Sequence, residues 1–268
     1  MFFADEVEKR RHAMPTIVAC FKWVIDEAYI RRSSSGELDF SSVDYKISEY
    51  DRNAIEEAVR LKEIHGGNVI TVTVGVPEAT KGVKDALSRG SDQAYFIADA
   101  SFRNLESSQT AAILAEVIRS RIVSYDLIIC GEGSSDLYAQ QVGARLAEHL
   151  EIPCISFVQK LSMEGGRLIA ERKVEQYTEI TATPLPALVT VLPEINSPRI
   201  PGVKDTLTAS KKPTVTIKKD ELSPIGEARL QTTGISASRM DRTCEKFGTE
   251  AAELTRFVES LRKKGAIR

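Results

Sequence analysis

Residues 127–143 read LIICGEGSSDLYAQQVG, an apolar run followed by a polar, glycine-containing loop and the start of an amphipathic stretch. The run Leu127–Cys130 predicts a buried strand, because its apolar residues are continuous rather than alternating. Helical spacing then predicts a helix that carries Ala139, Val142, Gly143, Leu146, Ala147 and Leu150 on one face. A strand joined to a helix by a short loop is the unit from which parallel α/β sheets are built.

The same alternation of strand and helix signals precedes this stretch and is followed by one more strand. Short apolar runs predict strands at 16–20, 68–74, 95–97 and 184–192. Apolar residues at helical spacing predict helices over 53–64, 83–90 and 110–122. We therefore expect an α/β fold with a Rossmann-like, doubly wound and mainly parallel sheet, built from right-handed βαβ units.

The pattern changes in the last two-fifths of the chain. Residues 167–181 predict an extended, half-exposed antiparallel element, and the chain after Asn196 contains four prolines and little periodicity until Glu250. An apolar stripe at helical spacing follows at Leu254, Phe257, Val258 and Leu261. This region is either a flexible terminus or an arm that packs on a partner, and the apolar stripe favours the arm. The expected organisation is an N-terminal extension (1–14), a nucleotide-binding α/β domain (15–192) and a C-terminal arm and helix (193–268).

Composition excludes several classes of protein. Thirty-six basic and 38 acidic residues give a net charge of −2, which offers no electrostatic argument for nucleic acid or an anionic membrane. Apolar runs are too short for a transmembrane segment, and the charged N-terminus is unlike a signal peptide. Four separated cysteines without a CxxC and only three histidines argue against a metal site. We expect a cytoplasmic protein.

The loop after Cys130 is the strongest candidate binding site, because open α/β sheets bind ligands beyond the carboxyl ends of their strands. Gly131 and Gly133 allow a tight turn and a close approach to a ligand. Ser134 and Ser135 supply hydroxyl groups, Asp136 is a candidate helix cap, and the helix start favours an anion such as phosphate. An ordinary strand-to-helix turn explains the same residues, since Asp136 stands where the G-x-G-x-x-G fingerprint has its third glycine.

Two further segments are expected at the same edge of the sheet. Lys22 follows the first strand, where it either reaches a phosphate or is solvated, and Val74 ends the strand at 68–74. Ser48 and Asp51 precede the helix at 53–64 and are candidates to cap its start.

Over roughly residues 15–222 the chain resembles the beta subunits of electron-transfer flavoproteins. The matching pieces, in order, are KWVID (22–26), SEYDRNAIEEAV (48–59), ALSRGSD (86–92), GEGSSDLYAQQVG (131–143), ER (171–172), PLPALV (184–189) and NSPR (196–199). Residues 136–143 are most similar to the Fix-type branch, which includes proteins tied to anaerobic carnitine reduction. Chains of that branch start near Met14, which implies that the preceding residues are an extension.

The resemblance implies an electron carrier rather than a self-sufficient enzyme, with no catalytic side chains of its own. Such a beta subunit pairs with a larger alpha subunit that holds FAD, and the heterodimer passes electrons to or from an acyl-CoA dehydrogenase-like partner. Electron bifurcation and service to carnitine-type reduction are both open. The beta subunit itself binds an adenine nucleotide, which is AMP in simple members and a second FAD in bifurcating ones.

Matching positions imply which residues hold that nucleotide: Cys20, Ser48, Glu49, Tyr50, Asp51, Val74, Gly131, Gly133, Ser134, Ser135, Asp136, Ala139, Gln140, Gln141 and Val142. Arg199 and Val203 are the implied positions for docking of the dehydrogenase. The chain departs from the family at Ala139, where the bifurcating pattern has a phosphate-binding threonine. It also has Lys173 in place of an acid that helps to lock the flavin domain, with Glu175 as the nearest substitute.

Two rival classes share this kind of sheet. A stand-alone adenine-nucleotide-binding module of the stress-protein kind needs no long C-terminal arm. An ATP-consuming, ligase-like enzyme needs acidic metal ligands and a lysine near the loop, where the sequence offers Glu132 and Asp136.

Overall fold

The computed structural model describes residues 14–33, 37–237 and 244–267. The expected N-terminal extension therefore lies outside the described residues, apart from Met14. The chain divides into a large unit that runs to Thr233, without residues 32–38, and a small unit that holds those residues and the C-terminal helix.

A nine-stranded sheet organises the large unit. The strands of the described residues are β1 (Thr16–Cys20), β2 (Trp23–Ile25), β3 (Arg31–Arg32), β4 (Leu38–Asp39), β5 (Tyr45–Ile47), β6 (Asn68–Gly75), β7 (Gln93–Ala98), β8 (Leu127–Gly131), β9 (Cys154–Glu164), β10 (Arg167–Val174), β11 (Tyr177–Pro184), β12 (Ala187–Val191) and β13 (Thr214–Lys218). The order in the sheet is β11-β10-β9-β12-β8-β1-β6-β7-β13. Pairing is parallel except for the antiparallel β9-β10-β11 end. The short strands β2 and β5, and β3 and β4, form two separate pairs.

The strand order reverses between β1 and β8. From β1 the chain proceeds outward to β6 and β7, and it then returns to β8 and β12 on the other side of β1. Helices α1 (Glu49–His65) and α2 (Thr80–Ser88) cover one face, and α3 (Ser107–Val117) and α4 (Val142–Leu150) cover the other. This arrangement confirms the expected Rossmann-like, doubly wound fold, in which the crevice at the reversal is the usual ligand position.

Burial on both faces explains the continuous apolar strands. In β1, Ile17 and Ala19 face the cluster that includes Ile55 of α1, whereas Val18 and Cys20 face the cluster under α3 and α4. Successive side chains of a strand point to opposite faces, so a strand covered on both sides has no polar alternation. The same physics made β6 and β8 predictable from the sequence.

The C-terminal half is more regular than its sequence predicts. The antiparallel element is the β10-β11 hairpin, and β9, which the sequence analysis did not identify, joins it to β12. After Asn196 the chain forms α5 (Val203–Ala209) and then β13, which pairs with β7. Only Ile217 of β13 is buried, so this edge strand has no apolar pattern to reveal it.

The predicted terminal helix is present as α6 (Ala251–Lys263), in the small unit. Across the three described ranges, no helix has both the length and the hydropathy that crossing a membrane requires.

Candidate functional site

Three segments meet beyond the carboxyl ends of β1 and β8: the residues after β1, the loop between β8 and α4 (the 132–141 loop) and the first turn of α1. The Asp51 carboxylate joins all three. Its Oδ2 accepts a hydrogen bond from the Lys22 backbone N–H at 2.8 Å, and its Oδ1 accepts one from the Gly131 N–H at 3.2 Å. This junction lies where the strand order reverses, which is the expected ligand position.

Ser48 connects α1 to the 132–141 loop at a second point. It occupies the N-cap position of α1, as the sequence predicts, but its side chain makes no capping hydrogen bond to the helix. Its hydroxyl oxygen instead accepts a hydrogen bond from the Ser135 backbone N–H at 3.2 Å. The expectation that Ser48 and Asp51 cap α1 is therefore wrong: both side chains bind backbone groups of other segments.

Glycine permits the close approach of these segments. A Cβ at Gly131 would lie 2.5 Å from Asp51 Oδ1 and 2.8 Å from the Cβ of Tyr50. A Cβ at Gly133 would lie 2.6 Å from the Tyr138 ring. Real Cβ atoms do not approach so closely, so the two glycines let the loop pack on α1 and on itself. The sequence predicts that these glycines allow close approach to a ligand, and the structure shows close approach to the protein's own residues.

Glu132, buried with 6 % of its surface exposed, organises the rest of the loop. Its carboxylate accepts hydrogen bonds from the Tyr138 hydroxyl at 2.8 Å and from the Gln140 side-chain amide. Tyr138 and Gln140 adopt φ values of 47° and 56°, which L-residues rarely do. Burial and the neighbouring Glu132 raise the pKa of the Tyr138 hydroxyl, which keeps it a hydrogen-bond donor. Sequence reasoning missed this role, and an acid between two glycines directly after a buried strand was the available signal.

Two tyrosines form the aromatic side of the loop. The rings of Tyr50, from α1, and Tyr138 have centroids 5.2 Å apart and planes tilted by 40°. Tyr138 is exposed and Tyr50 half-buried, so the pair forms part of the rim of the crevice.

Lys22 and Asp136 form an ion pair across the crevice, with Nζ and Oδ2 2.6 Å apart. Burial raises the pKa of the Asp136 carboxyl, but the charge of Lys22 and the hydrogen bonds outweigh that effect, and the pKa lies below its ordinary value. Asp136 also accepts a hydrogen bond from the Leu137 N–H. It does not cap α4, which begins after Gln141, so that expectation is wrong.

The start of α4 has no side-chain cap. Gln141 is at the N-cap position, but its side-chain oxygen accepts a hydrogen bond from Arg145 Nε, at 3.1 Å. The first N–H groups of a helix have no partners within the helix and favour an anion. Nearby in sequence, the buried Ser135 Oγ lacks a hydrogen-bond partner among the described residues. The start of α4 and the Ser135 hydroxyl are therefore donors without a partner among the described residues.

The remaining predicted positions differ in how close they lie to this junction. Cys20 is the buried last residue of β1, next to the loop that contains Lys22. Val74 lies near the end of β6, on the side of β1 away from β8. The other positions belong to the junction itself, as exposed or half-buried residues of α1 and the 132–141 loop: Glu49, Ser134, Ala139, Gln140, Gln141 and Val142, which begins α4.

The two predicted docking positions differ in their contacts. The Arg199 guanidinium is bound by two carboxylates of α1, with Nε 2.8 Å from Glu56 Oε2 and Nη1 2.7 Å from Glu63 Oε1. Val203, the first residue of α5, is 80 % exposed. Two more apolar side chains beside it, Ile200 and Leu207, are also exposed.

Lys173, at the position where the resemblance implies an acid, lies 3.5 Å from Glu194 in an exposed ion pair. Glu175, the candidate substitute, is in the turn of the β10-β11 hairpin with a φ of 42°.

Comparison with known protein families gives a match to the electron transfer flavoprotein domain over residues 36–222. The matched span covers more than half of the chain. It includes the first turn of α1, the whole 132–141 loop and the segment that carries Arg199 and Val203.

Proposed function

This chain belongs to the electron transfer flavoprotein domain family, and on that premise we propose that it is the beta subunit of a heterodimeric electron-transfer flavoprotein. A larger alpha subunit is its permanent partner and holds the FAD that exchanges electrons. An acyl-CoA dehydrogenase-like enzyme is the redox partner of the heterodimer. In this role the chain positions cofactors and partners, and none of its side chains reacts.

The observation that carries the proposal is the junction at the strand reversal. There α1 and the 132–141 loop meet, and the loop leads into α4, whose start has no side-chain cap. The N–H groups at the start of α4 and the Ser135 hydroxyl are free donors, which suits the phosphate of an adenine nucleotide. The residues therefore fit the nucleotide that the family implies. Lys22 is the nearby cation, but Asp136 neutralises it, so backbone dipoles contribute most of the attraction.

The nucleotide is AMP or a second FAD, and four residues of the loop region support FAD. Asp136, Gln141, Val142 and Gly143 match the bifurcating pattern, whereas Ala139 replaces its phosphate-binding threonine. A flavin here would supply reversible electron transfer, while AMP would be structural. With phosphate held by backbone groups, the missing threonine hydroxyl matters less than the helix start.

The apolar residues of α5 and of the chain just before it support the docking role. Ile200, Val203 and Leu207 are exposed next to a segment that Arg199 fastens to α1. A small apolar anchor on a fixed support loses little conformational entropy when it enters a partner's pocket. Val203 is the proposed anchor, and Arg199 contributes by holding its support.

Co-expression with the alpha subunit tests the proposal. The purified complex is denatured, and FAD and AMP are counted per heterodimer. Two FAD and no AMP support the bifurcating form, whereas one FAD and one AMP refute a second FAD but keep the beta-subunit role. A chain that binds an adenine nucleotide, but neither an alpha subunit nor flavin, overturns the proposal and identifies a stand-alone nucleotide-binding module.

A further inference from the structure

Asp51 lies at the point where the strand order reverses, and its side chain is buried, with 7 % of the residue exposed. Both carboxylate oxygens are in use, one by the Lys22 N–H after β1 and the other by the Gly131 N–H at the end of β8. The residue itself belongs to the first turn of α1. A single side chain at the start of α1 thus connects two strand ends. Its partners, Lys22 and Gly131, are 29 and 80 residues away from Asp51 in sequence.

We propose that Asp51 is the positioning residue of the nucleotide site and does not touch the nucleotide. The inference rests on the proposed function, because it concerns the same site. With both oxygens bound inside the protein, Asp51 supplies the spacing between the residues after β1 and the 132–141 loop. Ser48 holds the Ser135 N–H in the same way, so the start of α1 fixes the loop at two points.

The protonation state of Asp51 decides whether both hydrogen bonds form. A carboxylate accepts through two oxygens, whereas a protonated acid turns one of them into an O–H donor. Burial raises the pKa of Asp51 to about 7, although the Lys22 and Gly131 N–H groups and the Lys22 ammonium lower it. Both bonds are therefore fully formed only above about pH 7.

Other charged or titratable groups around Asp51 come from each segment packed against it. The residues after β1 contribute the Lys22 ammonium, and the 132–141 loop contributes Asp136. Cys20 is the last residue of β1, and Cys130 is the last residue but one of β8. Lys22 and Asp136 are paired with each other. The neighbouring Cys20 thiol and burial raise the pKa of the Cys130 thiol, which stays neutral.

Two opposite pH trends distinguish a positioning role from simple stabilisation. Because the folded-state pKa of Asp51 lies above its ordinary value of 3.8, ionising it lowers the stability of the fold as pH rises from about 4 to about 7. Nucleotide affinity is expected to rise as pH passes through about 7, because ionisation completes the second hydrogen bond. A residue that only stabilised the fold would leave no rise beyond the one that the AMP phosphate, which itself ionises at about pH 6, gives in every variant.

Asp51→Asn tests the inference, since asparagine keeps the shape, offers one acceptor oxygen and does not titrate. Asp126→Asn is the matched control, because Asp126 Oδ2 accepts a hydrogen bond from the Thr16 N–H at 2.9 Å, at the opposite end of β1. Dissociation constants for AMP and for FAD are measured on the full chain between pH 6 and 8. We expect wild type and Asp126→Asn to bind about tenfold more tightly at pH 8 than at pH 6. Asp51→Asn should bind weakly at both.

A wild-type pH profile in Asp51→Asn overturns the inference, as does a flat profile in wild type. If wild type binds neither AMP nor FAD, the nucleotide part of the proposed function fails instead. The positioning role then depends on hydrogen exchange of the Lys22 and Gly131 amides in wild type, corrected for intrinsic rates. Amide protection that rises as pH passes through about 7 supports the positioning role, and pH-independent protection refutes it. The same measurement on wild type decides the case in which Asp51→Asn does not fold.

Discussion

At the scale of single residues, two buried acids shape the crevice by accepting hydrogen bonds from uncharged donors. Asp51 binds backbone N–H groups of two segments, and Glu132 binds the side chains of Tyr138 and Gln140. Each acid therefore contributes loop geometry rather than charge for a ligand. A buried carboxylate is tolerated because neutral donors satisfy its oxygens.

Tyr138→Phe tests the role of Glu132. The substitution removes one of the donors to the buried carboxylate and keeps the ring that packs on Tyr50 and Gly133. We expect the free energy of unfolding to fall by about 1 kcal/mol, the scale of one hydrogen bond. Urea unfolding measures it, with Tyr177→Phe on the exposed face of β11 as the control. Equal stability of both variants would show that the Tyr138 hydroxyl contributes nothing.

Val203→Ala tests the proposed anchor. Losing two methyl groups from a filled pocket costs on the order of 1 kcal/mol, which raises the apparent KM for the dehydrogenase about fivefold. FAD content should stay unchanged, and Val215→Ala, on β13, serves as the control. An unchanged KM argues against the docking role, and a variant that fails to assemble with the alpha subunit assigns Val203 to that interface instead.

At the scale of elements, hydrogen bonds and ion pairs hold the segment between β12 and α5 (residues 192–202) against α1. Asn53 donates hydrogen bonds to the Pro193 and Asn196 carbonyls, and Asn196 donates in return to the Asn53 carbonyl and to Glu57. Arg199 adds ion pairs with Glu56 and Glu63 to these contacts. The exposed residues of α5 therefore begin directly after a fixed point of the fold.

Arg199→Met should measurably weaken the attachment of the 192–202 segment to α1. Glu56 is buried, so losing its cation leaves an uncompensated charge, while the partial exposure of Arg199 moderates the cost. We expect a loss of about 2 kcal/mol in the free energy of unfolding. Glu63→Gln removes only an exposed partner and should cost less than about 1 kcal/mol. Similar urea midpoints for the two variants would contradict this ranking.

How far the sequence predicts these elements depends on how local their signals are. The strands β1, β6 and β8 are predictable because burial on both faces leaves uninterrupted apolar runs. The apolar spacing predicts that α4 begins at Ala139, which is too early, because an apolar pattern does not report the positive φ values of Tyr138 and Gln140. The sequence predicts Asp51 at the site, but the partners of Asp51 depend on contacts between distant segments, which periodicity does not encode.

At the scale of the whole molecule, the small unit contains a helix whose apolar side chains are exposed, although the Phe257 ring packs edge-on against Phe247. Leu254, Phe257 and Val258 of α6 are all exposed, at the spacing of one helical face. A 13-residue helix is marginal in water without packing. We proposed that the chain has a permanent partner, and this helix is the element that most needs one.

Limited proteolysis of the chain with and without the proposed alpha subunit tests that need. Cleavage within 244–267 requires local unfolding. Among the described residues the apolar packing of α6 is mainly the contact between the Phe257 and Phe247 rings, so this helix opens at little cost in free energy. We expect trypsin to cut α6 of the isolated chain at its lysines and arginines well before it cuts the strands of the sheet. In the heterodimer the same bonds should be protected at least tenfold, because burying the Leu254–Val258 face makes opening costly. An isolated chain that is monodisperse, unfolds in one transition and keeps a protease-resistant C-terminus would mean that α6 already has its surface, and the arm would then have no role in assembly.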